Sequence, residues 1–172
     1  MMIEELLVDP RRREYAAEPE MDALTERGAL QEAQLLDARV DVLRSTAWLL
    51  FDCRGALQIE MGNTAIIAAQ GVRRLSWVAS PRGRLTAWSV VDSAPSVAEG
   101  AWSLSLAFAP SARLELEAES AEFYVGDVPG CDEAPPDYGE DDDTIRAGLA
   151  HWRSTFDPVH AAFLDPAPPR PS

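Results

Sequence analysis

Twelve carboxylates fall between Arg113 and Arg146 with no basic residue among them: Glu115, Glu117, Glu119, Glu122, Asp127, Asp132, Glu133, Asp137, Glu140, Asp141, Asp142 and Asp143. Several such oxygens converging on one point could hold a hard divalent cation. Two at the right separation could act as acid and base in a hydrolysis. The whole chain has 29 acidic and 15 basic residues and a net charge of −14, so this stretch supplies most of the excess. Such a block must be solvated, hold cations or meet a basic partner. In its densest part, from Asp132 to Asp143, the Asp-x-Asp-x-Asp-Gly order of a calcium loop is missing, and Pro135-Pro136 hold early and late acids apart. Solvation and helix capping therefore rank first, a basic protein partner second and a metal a distant third. The partner-binding residues expected on this basis are Asp132, Glu133, Asp137, Tyr138, Glu140, Asp141, Asp142 and Asp143.

Other chemistry is sparse. His151 and His160 are the only histidines; a metal or general-base role would pair them with Asp157 or Asp165, but a spacing of nine puts the two on no common helical face, with Pro158 between them. A surface or packing role is expected for both. No Gly-x-Ser-x-Gly elbow presents a serine nucleophile. Lysine is absent altogether, which excludes a Walker A loop, and no Gly-x-Gly-x-x-Gly follows a strand. Thus no catalytic residue, metal ligand or cofactor is assigned. Cys53, in an apolar run, reads as a small core residue and Cys131 as a loop residue, with nothing to support a disulfide between them. Of the five tryptophans, Trp102 and Trp152 sit in core phase, whereas Trp88, with Tyr124, suits an exposed patch better.

Composition narrows the class. A 47% hydrophobic content over 172 residues suits one domain with a real core. A net charge of −14 disfavours nucleic acid, although Arg11, Arg12, Arg13, Arg73, Arg74, Arg82 and Arg84 could form a local basic rim. No apolar run reaches bilayer length, so no membrane partner is expected. Glu4 and Glu5 stand where a signal peptide would carry bases, so a cytoplasmic location is expected. All fifteen cations are arginine, and with 13 prolines this fits the codon bias of a GC-rich, actinobacterial genome.

These residues must be positioned by a run of strands. Strand periodicity covers residues 35–44, 47–53, 64–70 and 72–78, with Gly71 as a bulge or bend. It continues over 84–91, and a loop containing Pro95 is expected over 93–100. Trp102, Leu104, Leu106 and Phe108, then Leu114, Leu116 and Ala118, make a hairpin with one apolar face. A bulge near Glu119-Ser120 restarts the pattern at Ala121, Phe123 and Val125. Short helices are expected at 20–34 and 144–155, the second capped by its aspartates. The fold class expected is α+β, mainly β: an antiparallel sheet or flattened barrel of about six or seven strands with peripheral N- and C-terminal helices. Residues 1–20 read as a mobile tail, 21–165 as a single globular domain and 166–172 as a proline-rich tail.

Gly62-Asn63-Thr64-Ala65-Ile66-Ile67, leading to Gly71-Val72-Arg73-Arg74-Leu75-Ser76-Trp77, resembles the strand with a terminal Gly-Val of small bacterial immunity-like domains. Glu122 to Gly130 is similar to a segment of uncharacterised actinobacterial proteins of this length. The resemblance implies a non-catalytic antiparallel domain that neutralises a toxin by binding it, and transfers no functional residue. The function expected is a protein-binding module whose acidic face docks on a basic partner, immunity- or antitoxin-like. The alternatives are a carboxylate-based enzyme, with or without a divalent metal, and a structural subunit of a larger complex.

Overall fold

The computed structural model describes residues 1–6 and 17–166. Seven strands, β1 (Gln34–Asp41), β2 (Thr46–Asp52), β3 (Thr64–Ala79), β4 (Trp88–Ala98), β5 (Ala101–Ala109), β6 (Ala112–Asp127) and β7 (Asp157–Leu164), form one antiparallel sheet. Its order is β3-β2-β1-β4-β5-β6-β7, and pairing of β3 with β6 curls it into a ring. The narrowest seam joins β1 to β4 through only Gln34–Ser89 and Leu35–Trp88. The helices α1 (Ile3–Leu6) and α2 (Asp142–Ala147) are short and peripheral. The fold class is thus the mainly β, antiparallel one that strand periodicity implies.

Alternation explains the ring's interior. Trp102, Leu104 and Leu106 of β5 stand opposite Ala118, Leu116 and Leu114 of β6, and all six are buried. Ala65, Ile67 and Ala69 of β3 and Phe123 and Val125 of β6 continue the same core. Inward parity changes at Gly71, whose φ of +63° turns the chain where Gln70 pairs with Ser120. A Cβ there would come within 2.6 Å of the Glu119 side chain, which favours glycine; Val72 pairs with Ala118 in unbroken register, so the two strands change phase together. The bulge itself lies in β3, between Val72 and Arg74, rather than at Glu119-Ser120.

A second core lies outside the ring. Leu50, Ile66 and Tyr124 point away from the interior and are buried against Val128, Cys131, Trp152 and Phe156. Residues 128–156 thus form an outer layer over β2, β3 and β6, and β2 is covered on both faces as its doubly apolar sequence implies. Ile3 joins this layer fully buried, with the N–H groups of Ile3 and Glu4 donating to the carbonyls of Ser154 and Trp152. Residues 1–4 are therefore tied to residues 152–156 where the sequence alone reads as tail; residues 7–16 and 167–172 lie outside the described residues.

Four local expectations are corrected. Residues 20–34 form turns, not a helix, because Gly28 and Glu32 take positive φ and the segment bonds to β4 instead. Glu32 N–H donates to Val90, and Val90 N–H to Ala33. The loop placed at 93–100 is mostly strand: Pro95 pairs with Leu104 on the β5 side, at a point where β4 has no ladder partner on its other edge. The strand expected from Arg84 begins only at Trp88. The C-terminal helix ends at Gly148, and β7, hidden by Pro158 and His160, adds a strand that the sequence reading passes over.

Candidate functional site

The outer layer is pinned by one buried ion pair. Arg54 donates from Nη2 and Nε to the carboxylate of Asp52, and the two side chains are only 8% and 5% exposed. Asp52 closes β2 and Arg54 follows in the turn, so the pair is two residues apart and its geometry is set locally. The guanidinium then reaches across the chain. Nη2 donates to Gly148 O at 2.7 Å, and Nη1 donates to Glu133 O at 3.2 Å. A planar fork with five donors can satisfy a carboxylate and several carbonyls at once. In a continuing helix the Gly148 carbonyl would receive an N–H one turn on; Arg54 takes it, and α2 stops there.

A second clamp stands beside the first. Asn63 donates to Val128 O at 3.1 Å and accepts from Val128 N–H at 2.9 Å, fixing the point where β6 enters the acidic segment. Cys131 N–H donates back to Val128 O. Farther on, Asp137 accepts from Gly139 N–H, and Asp141 accepts from Thr144 N–H at 2.8 Å as the N-cap of α2. That backbone hydrogen bond holds the Asp141 carboxyl below the usual aspartate range. Its capping contribution is present above that range and is lost as pH falls through the lowered value. Backbone ties and the buried Ile145 give 131–148 a defined course, with its charges outward.

Eleven of the twelve carboxylates divide into two populations; the twelfth, Asp127, is exposed at the end of β6. Glu115 pairs with Arg113, and Glu117 and Glu119 pair with Arg73, on the wet face of β3 and β6. Glu122 is buried and accepts from Tyr124 OH at 2.7 Å. In contrast, Asp132, Glu133, Asp137, Glu140, Asp141, Asp142 and Asp143 are all exposed. Among the described residues no arginine pairs with any of their carboxylates. Tyr138 is half-buried and lines a groove with Arg82 and Arg84. Burial, with the charge of Asp52, pushes its phenol upward. The expected partner-binding residues therefore share one continuous segment, whose carboxylates pair with no arginine among the described residues.

Other candidates are placed differently. Among the described residues no group of three or more His, Cys, Asp or Glu side chains converges as metal ligands would. His151 is exposed in a turn, its Nδ1 accepting from Arg153 N–H. His160 lies in β7, and among the described residues neither ring nitrogen has a hydrogen-bond partner. Tyr124 is buried, not part of a patch, whereas Trp77 is 43% exposed beside the half-buried Trp88. Among the described residues no helix is long and apolar enough to cross a membrane.

Both cysteines are free and buried. Burial, reinforced by Asp52, drives the Cys53 thiol far up. Burial also raises Cys131, only partly offset by Arg54. Neither is an activated nucleophile, since the thiolate is the reactive form. Iodoacetamide at pH 7.5 should therefore leave the native chain almost unmodified, while the chain in denaturant takes two labels per molecule by mass spectrometry. Fast labelling of native Cys131 would contradict its placement.

Asp52, Arg54 and Asn63 are the site residues that sequence reasoning misses. One signal was available: a lone aspartate ending an apolar strand, with an arginine two residues on, suggests a local ion pair, though not its burial. Compared with protein-family models and with curated proteins, the chain matches none of them.

Proposed function

We propose that this chain is a non-catalytic protein-binding module whose acidic segment docks on a basic protein partner, as an immunity or antitoxin protein does. One observation carries the reading: seven exposed carboxylates between Asp132 and Asp143 have no arginine partner among the described residues, while their backbone is held by Arg54, Asn63 and Val128. A charged surface kept solely for solubility needs no such anchoring. Pre-ordering lowers the entropy lost on docking, and the concentrated charge speeds encounter with a basic surface. The raised thiols and the separate placement of His151 and His160 leave the described residues without an activated nucleophile or base in this segment.

The test is affinity capture on the immobilised chain from an extract of its own cells, at about 50 mM and about 500 mM salt, where screening lengths differ severalfold. A basic protein retained at low salt and released at high salt is the expected result. Recovery of no basic protein at low salt would refute the docking role.

A further inference from the structure

The ring leaves a mouth where β1 and β4 part. Antiparallel pairing of Gln34 with Ser89 and Leu35 with Trp88 would, if continued, set Leu36 to Ala38 against residues 85–87. Those residues are not strand, and the seam opens into a groove of about 370 Å³. Leu35 and Leu114 are its buried lining, Leu36 and Leu75 its half-buried lining, and Trp77 and Trp88 complete the apolar wall. Trp77 stands edge-on to Trp88 at 5.4 Å between centroids and tilts against Phe108 at the same distance. The wall is thus braced by aromatic contacts before anything binds. Apolar surface of this kind, at the mouth of a curled sheet, is characteristic of ligand sites.

Among the described residues lining the groove, Asp37 is the sole charged one. Its carboxylate is fixed at the rim: Oδ2 accepts from Trp152 Nε1 at 2.7 Å and Oδ1 from Ala38 N–H at 2.9 Å. Each oxygen keeps a lone pair for a further donor. An aromatic wall and a fixed carboxylate both favour a cation carried on an apolar body, and the net charge of −14 enriches cations around the molecule. We propose that this groove binds a small organic amine with an aromatic or branched aliphatic body, the body between Trp77 and the leucines and the ammonium at Asp37. This site is independent of the acidic segment.

Three probes with one body and different heads test it: 4-phenylbutylamine, 4-phenylbutanol and 4-phenylbutyrate, each titrated into the full chain while the five indole N–H resonances are followed by NMR. The amine should bind saturably, about tenfold tighter than the carboxylate, the scale of a gain and a loss at one exposed charge. Trp77→Ala should weaken all three probes severalfold. Asp37→Asn should bring the three affinities together, whereas Asp142→Asn with Asp143→Asn should leave the preference for the amine in place. If Trp77→Ala misfolds by circular dichroism, Trp77→Leu serves, keeping volume but removing the aromatic face. No saturable shift with any probe would overturn the site, as would equal affinities in the unaltered chain. A preference that survives Asp37→Asn but disappears with the Asp142 and Asp143 changes would overturn it too.

Discussion

Replacing Arg54 with methionine is expected to destabilise the fold by about 3–5 kcal/mol, the usual cost of removing one partner from a buried ion pair. The change strands the Asp52 carboxylate in a site where it is 5% exposed, and it leaves the carbonyls of Gly148 and Glu133 without their donor. Denaturant unfolding followed by tryptophan fluorescence measures the loss. A second change discriminates the cause. Adding Asp52→Asn to Arg54→Met should recover a large part of the stability, because the uncompensated charge, more than the missing side chain, dominates the cost. Amide exchange in residues 131–148 should rise beyond the global loss in both variants, since neither restores the tether. A single variant of unchanged stability would mean that the pair is solvated and the outer layer is held by other contacts.

The second large effect is expected at Trp102. Its ring is fully buried and its Nε1 donates to Leu24 O at 2.9 Å, joining the 17–33 segment to the interior of the ring. Trp102→Ala removes a large aromatic from the core and orphans the Leu24 carbonyl. Truncations of that size cost about 3–5 kcal/mol, and a buried acceptor left bare adds about 1–3 kcal/mol. Against a typical stability of about 5–15 kcal/mol, this variant should melt at least about 10 °C lower in calorimetry. Trp102→Phe should lose less, because it keeps most of the volume and forfeits mainly the hydrogen bond. A small shift for the alanine variant would show that the turn segment does not depend on this anchor.

The contrast between these two sites shows what was legible in the sequence. Trp102 could be read directly: it alternates with Ser103, Leu104 and Ser105, a pattern that fixes strand and face within a few residues. The doubly apolar run of β2 likewise announced cover on both sides, which the outer layer supplies. Asp52 could not be read the same way. At the end of that run it looks like a solvated strand terminus, and its burial is decided by residues 128–150, far along the chain. The failed helix at 20–34 has the same origin. Met21, Leu24 and Ala29 permit a helix locally, yet β4 offers the backbone of Gly28 and Glu32 better partners. The amine groove arises where an expected strand is missing at residues 84–87, so no local pattern could have located it. For the acidic segment, charge and prolines were plain in the sequence, whereas its anchoring depends on tertiary contacts.

Docking of the acidic segment on a basic protein is most directly tested by removing charge while sparing shape. Asp132→Asn, Glu133→Gln, Glu140→Gln, Asp142→Asn and Asp143→Asn in one chain would neutralise five carboxylates and leave the turn at Asp137 and the cap at Asp141 intact. With the basic protein captured by the unaltered chain, association rates of both chains should be measured across ionic strength. The five-fold variant, folded and equally stable, should associate at least about tenfold more slowly at low salt, with a much flatter salt dependence. Equal rates and equal salt dependence for the two chains would show that the segment is not the docking face.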